Sequence, residues 1–158
     1  MTPEPHIPPR PLPPFDVCVQ GSEMAVREAL AKVLAGLGPL DLDVEEAGTI
    51  ELVLAEALNN IVEHAYAPNA GVGPIRICCL HKKDGLHLRI QDEGLEMPDG
   101  QLPLGQPVSL PDEIAEMPEG GFGWFLIQDL AKDVRYRRVE NGNELSLRLA
   151  IGILPGAR

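Results

Sequence analysis

Apolar and polar positions alternate in strand fashion over 15–20, FDVCVQ. The pattern then changes period. Val26, Leu30, Val33, Leu34 and Leu37 follow helical spacing behind Ser22, a side chain suited to cap a helix, and Gly36, Gly38 and Pro39 close the segment. A second helix is expected from a lead-in at Asp41–Glu46 through Tyr66, where Pro68 stops it; Gly48 interrupts its propensity. Along it Leu54, Leu58, Ile61 and Ala65 form one apolar stripe, and Glu56, Asn59, Asn60, Glu63 and His64 share the opposite side. The turn cluster 69–74, NAGVGP, precedes two short alternating runs, Ile75–Leu80 and Leu86–Gln91, joined by the charged turn HKKDG. Phe125, Leu126, Leu130 and Ala131 then repeat at helical spacing, and Val134–Val139 and Glu144–Ile151 form a final hairpin across Asn141-Gly142-Asn143.

Two stretches fit neither period. Residues 1–14 hold prolines at 3, 5, 8, 9, 11, 13 and 14, a composition that favours extended polyproline conformations and predicts a mobile tail. Leu95–Glu119 carries five more prolines, with a short helical turn at PDEIAEM inside it. An irregular segment of about 25 residues within a compact domain points to a ligand-covering lid. Residues 153–158 are read as a C-terminal tail, so the folded unit spans 15–152.

Composition narrows the function classes. A chain of 158 residues with 44% hydrophobic content is large enough for one domain with a proper core. Its net charge of −11 argues against nucleic acid or anionic membrane as a partner, since both demand clustered Lys and Arg. Cys18, Cys78 and Cys79 make neither a disulfide framework nor a zinc spacing, which suggests a reducing, cytoplasmic setting. No 18-residue apolar run and no signal-peptide order of charges are present, so the expectation is a soluble protein that is not exported.

The polar side of the second helix carries the candidate chemistry. Glu56 and Asn60, four residues apart, point a carboxylate and an amide oxygen the same way. An amide oxygen suits Mg²⁺, and a carboxylate can orient a hydroxyl or a water; a solvated helix face is the plainer reading. Downstream, Asp92-Glu93-Gly94 leaves a strand, and Gly120-Gly121-Phe122-Gly123 opens a helix, where glycines admit phosphate oxygens to free backbone N–H groups.

Taken in order, Glu56-x-x-x-Asn60 with His64-Ala65, then Asp92-x-Gly94, then Gly121-x-Gly123, resemble the GHKL (histidine-kinase-like) superfamily of ATP-binding domains. Within it, HAY and GGFGWFLIQDL look like the anti-sigma-factor serine/threonine kinases and their regulatory relatives. The resemblance implies a two-layer α/β sandwich, with a mixed, mostly antiparallel sheet and helices on one face, and residues 95–119 as the ATP lid. It implies ATP and Mg²⁺ as cofactors. It assigns Glu56 to orienting the attacking hydroxyl, Asn60 to Mg²⁺, Asp92 to the adenine amine, Gly94 to close approach, and Gly120, Gly121 and Gly123 to the phosphates at the N-terminus of a helix beginning near Gly123. The implied activity is phosphorylation of a STAS-domain anti-anti-sigma protein, with sequestration of a sigma factor and a possible homodimer. His64 is read as a histidine that holds the helix end. One departure is Glu119, where better-known kinases of the group place an arginine; together with a lid lacking Lys and Arg, it motivates an alternative, a nucleotide-regulated binding module with little or no catalysis.

Overall fold

The computed structural model describes residues 11–66, 73–95 and 121–154. In chain order these form strand β1 (Phe15–Gln20), helix α1 (Glu23–Gly36), a short 3₁₀ turn (Gly38–Leu40), helix α2 (Val44–Asn60) ending in a π turn (Ile61–Ala65), strands β2 (Pro74–Lys82) and β3 (Gly85–Asp92), helix α3 (Gly121–Leu130), and strands β4 (Lys132–Val139) and β5 (Gly142–Leu149). The five strands make one sheet in the order β1-β2-β3-β5-β4. Among the described residues every pairing is antiparallel, where a mixed, mostly antiparallel sheet was expected.

Strict alternation decides the layering. Val17, Val19, Ile75, Ile77, Cys79, Leu86, Leu88, Ile90, Leu145, Leu147 and Leu149 all point to one side and are buried, where they join Val33, Ile50, Leu54, Leu58 and Ile127 of the helices in one core. The intervening positions form an open face. This is a two-layer α/β sandwich, as expected.

Local signals explain the ends. Ser22 Oγ accepts from the Ala25 N–H and caps α1. Asp43 and Glu46 exchange side-chain bonds with each other's backbone N–H in a capping box at α2. Glu46 also accepts from the Gly152 N–H at 2.9 Å, so the cap holds the C-terminal segment as well. Buried His81 is the complementary clamp. Its Nδ1 accepts from the Leu12 N–H at 2.9 Å, so the ring proton sits on Nε2 and is donated to the Gly152 carbonyl at 2.7 Å. Leu12, inside the stretch expected to be a tail, is thereby tied to the sheet; residues 1–10 and 155–158 lie outside the described residues.

Three boundaries differ from expectation. Strands β2 and β3 extend to a two-residue turn at Lys83-Asp84, because the side chains of HKKDG keep the alternation. Helix α3 begins at Gly121 and not near Gly123. The α-helical bonding of α2 stops at Asn60, and the Tyr66 N–H reaches back five residues to the Ile61 carbonyl at 2.9 Å. Tyr66 closes this wider turn: its hydroxyl donates to the Pro74 carbonyl and accepts from the Glu93 N–H, both at 2.7 Å. Tyr66→Phe leaves the Glu93 N–H without that acceptor and should lower stability by about 1–3 kcal/mol, measured by urea denaturation.

Candidate functional site

Asn60 is only 5% exposed, unlike its neighbours Asn59 and Glu63, which are open to solvent. The polar group that the helical pattern placed on one side is therefore split. His64, expected to hold the helix end, is exposed, and Tyr66 does that work instead. The Asn60 Nδ2 donates to the backbone carbonyl of Glu56 at 2.8 Å, which commits the amide nitrogen to its own helix and leaves Oδ1 as the acceptor. Glu56 is half-buried one turn earlier.

Asn60 and Asp92 meet at a small cavity of about 20 Å³, lined also by Ala57, Ile61, Tyr136 and Asn143. Its walls come from α2, the π turn, β3, β4 and β5, so it exists only in the folded sheet. Glu56 is not among the described residues that line it.

Asp92 ends β3 and is 6% exposed. Its Oδ1 accepts from the Gly94 N–H at 2.9 Å and from the Asn143 Nδ2 at 2.8 Å, leaving Oδ2 for a further donor. Burial is the strongest influence on this carboxyl and pushes its pKa above the ordinary aspartate value; the bonds from Gly94 and Asn143 and the charge of Arg138 offset only part of that.

Asn143 organises the rest. In the sheet register it stands opposite Asp92. Its Nδ2 also donates to the Leu95 carbonyl at 2.8 Å, and its Oδ1 accepts from the Tyr136 hydroxyl and from Arg138 at 3.1 Å. The same Arg138 nitrogen donates to the Gly94 carbonyl at 2.7 Å. One amide thus ties the buried carboxylate to the chain leaving β3. Asn143, Tyr136 and Arg138 carry no local signal in the sequence, where NGN reads only as a turn; pairing with Asp92 is what gives Asn143 its role.

Gly94 makes its close approach to protein. A Cβ there would lie 2.4 Å from the Ala65 carbonyl oxygen, and the Leu95 N–H donates to that same oxygen at 3.0 Å. The end of β3 and the π turn are pressed together, so the glycine is required whether or not a ligand is bound. Gly121 and Gly123 fall in the first turn of α3, where backbone N–H groups lack helical partners. Gly120 and the expected lid after Leu95 lie outside the described residues.

Among the described residues, no group of three or more His, Cys, Asp or Glu side chains is placed to hold a metal. A divalent ion here would rest on the Asn60 amide oxygen, water and phosphate oxygens, a set that suits Mg²⁺. Among the same residues no helix is long and apolar enough to cross a membrane.

Comparison with known proteins bears on the family and the fold. Residues 19–149 match the model of the histidine kinase-like ATPase domain. The serine-protein kinase RsbW of Staphylococcus epidermidis is 30% identical over 124 residues, covering 77% of this chain and 75% of that protein. RsbW of Staphylococcus aureus strain Newman is 31% identical over the same length. Among solved structures, the RsbU and RsbW domains of Rv1364c from Mycobacterium tuberculosis superpose with a TM-score of 0.57 at 18% identity, covering 87% of this chain and 32% of that one. The histidine kinase domain of a blue-light activated kinase from Erythrobacter litoralis gives 0.51 at 19% identity, covering 84% and 66%. These two likenesses bear on the fold. By the domain match and the RsbW relatives together, the chain belongs to the histidine kinase-like ATPase family.

Proposed function

We propose that this protein is an ATP-dependent serine/threonine kinase of a partner-switching pathway, acting on a STAS-type antagonist and holding a sigma factor. The observation that carries the nucleotide part is the meeting of Asn60 and Asp92, from α2 and β3, at one buried cavity. Asp92 Oδ2 accepts from an adenine amine, an ionised oxygen facing an N–H donor. Asn60 Oδ1 ligates Mg²⁺, which when bound offsets phosphate charge. The first-turn N–H groups of α3, with Gly120, Gly121 and Gly123, receive phosphate oxygens. Glu56 orients the substrate hydroxyl and takes its proton as the new oxygen–phosphorus bond forms and ADP leaves with the electron pair of the broken one. The kinase relatives support the transfer to serine.

Glu56→Ala tests the catalytic part. Phosphotransfer to a STAS-domain protein should fall by about 100-fold or more, followed by radiolabel transfer, while ATP affinity stays within twofold. Glu119 and the lid without Lys or Arg favour a second reading, a nucleotide-regulated binding module. In that case the wild type binds ATP and its partner yet transfers no label. Transfer to water alone would also remove the protein-kinase part.

A further inference from the structure

The open face of the sheet, away from the nucleotide cavity, concentrates positive charge in an acidic protein. Five of the nine arginines, Arg76, Arg89, Arg135, Arg137 and Arg148, stand on it. The helices α1 and α2, in the opposite layer, carry six acidic and two basic residues. The molecule is thus polarised across its two layers. A face that needed only solvation would not require this segregation.

Three of these arginines already hold carboxylates of the chain: Arg76 pairs with Asp16, Arg137 with Glu144 at 2.9 Å, and Arg148 with Asp133 at 3.0 Å. Arg89 and Arg135 have no such partner among the described residues. They flank Ser146 in one cross-strand row, since Arg89 pairs with Ser146 and Ser146 with Arg135 in the register. Two strand spacings put the guanidinium stems about 10 Å apart. A shallow hollow of about 320 Å³ adjoins this row, lined in part by Lys82, Arg89, Ser146 and Arg148 and by the carboxylates Asp16 and Asp133, which Arg76 and Arg148 already hold; Arg135 stands outside it.

We propose that this face, centred on the Arg89–Ser146–Arg135 row, is a docking surface for a carboxylate-rich segment of a partner protein. Paired guanidinium forks recognise carboxylates, as the three occupied arginines do on the same face, and the Ser146 hydroxyl adds a donor between them. The acidic helical layer repels such a segment, so the charge pattern directs it to the sheet. The docking surface is independent of the nucleotide reading.

The test is an NMR titration of the full chain with a decaglutamate peptide, with decalysine as control, at low and high salt. Expected are shifts confined to β3, β4 and β5 around the row, weakening with salt, and affinity at least tenfold lower in the double variant Arg89→Glu, Arg135→Glu. A thermal unfolding transition unchanged in that variant reports that it folds; the milder pair Arg89→Gln, Arg135→Gln replaces it should charge reversal unfold the chain. Shifts that ignore the substitutions, or that inorganic phosphate reproduces in full, overturn the proposal. So does sedimentation showing that the wild type self-associates through this face and the double variant does not. Wild-type chain that binds decaglutamate on the row but no ATP would remove the kinase reading and leave this surface standing.

Discussion

Asp92→Ala should lower ATP affinity by about 10- to 100-fold, read by calorimetry with and without Mg²⁺. The estimate follows from losing a charge-assisted bond of about 1.5–3 kcal/mol. Asn60→Ala should remove only the Mg²⁺-dependent part. In Asp92→Ala the Gly94 N–H and one bond of Asn143 also lose their acceptor, so the apo protein should lose stability too. Wild-type affinity in Asp92→Ala would mean that this cavity is not the base site. The pH profile adds a second check. Because burial raises the Asp92 pKa and binding uses its ionised form, ATP affinity should begin to fall at a pH above the ordinary aspartate range, near 3.9. The sign for folding is the reverse. A carboxyl with a raised folded pKa favours folding below its unfolded value and loses that contribution as pH rises through the folded one. Glu144 behaves oppositely: burial pushes it up, but the bonds from Gln91 and Arg137 outweigh that and hold it low, so its contribution is lost as pH falls through its folded pKa.

Gly142→Ala should be the most damaging small substitution among the described glycines. A Cβ at Gly142 would sit 1.8 Å from the Asp92 carbonyl oxygen and 3.0 Å from the Glu93 Cα. Both obstacles are backbone, so no side-chain rotation relieves them. The strand must shift at the residue pair that aligns Asn143 with Asp92, and a loss of about 3–5 kcal/mol is expected, the range of severe single mutations. For a chain of this size that lowers Tm by about 10 °C. Gly48→Ala is the control of opposite sign. It has open space and lies inside α2, so exchanging glycine for the better helix former should raise stability by about 0.5–1 kcal/mol. A Gly142→Ala protein with unchanged Tm would show that the close approach is not obligatory.

These two substitutions separate local from non-local information. The strands of the central hairpin were legible because apolar and polar positions alternate within Ile75–Leu80 and Leu86–Gln91; their continuation to a two-residue turn at Lys83-Asp84 was not, because HKKDG reads locally as one charged turn. Helix α1 was legible from its cap and its stripe. The end of α2 was not. Ile61 to Tyr66 has helical spacing, and the π turn is held because Tyr66 finds an acceptor on β2 and a donor just past the end of β3, which the helix itself does not encode.

The candidate site divides the same way. Asp92 and Asn60 could be named from one dimension, because the order Glu56-x-x-x-Asn60, Asp92-x-Gly94, Gly121-x-Gly123 resembles the boxes of a known family; the local spacing by itself left a solvated helix face as the plainer reading. Their mutual placement could not be, and neither could Asn143, Tyr136 and Arg138, which meet Asp92 and Gly94 only through the β3–β5–β4 order. The role of Gly94 shifted for the same reason: a glycine in Asp92-x-Gly94 predicts a close approach, and only the packed structure shows the Ala65 carbonyl on the other side. By itself the sequence determined the elements, their layer faces and the residue types available for nucleotide chemistry, because periodicity and charge act over one or two turns. The tertiary structure alone decided which of those polar groups are buried together and which stay in water, since that depends on sheet order and register.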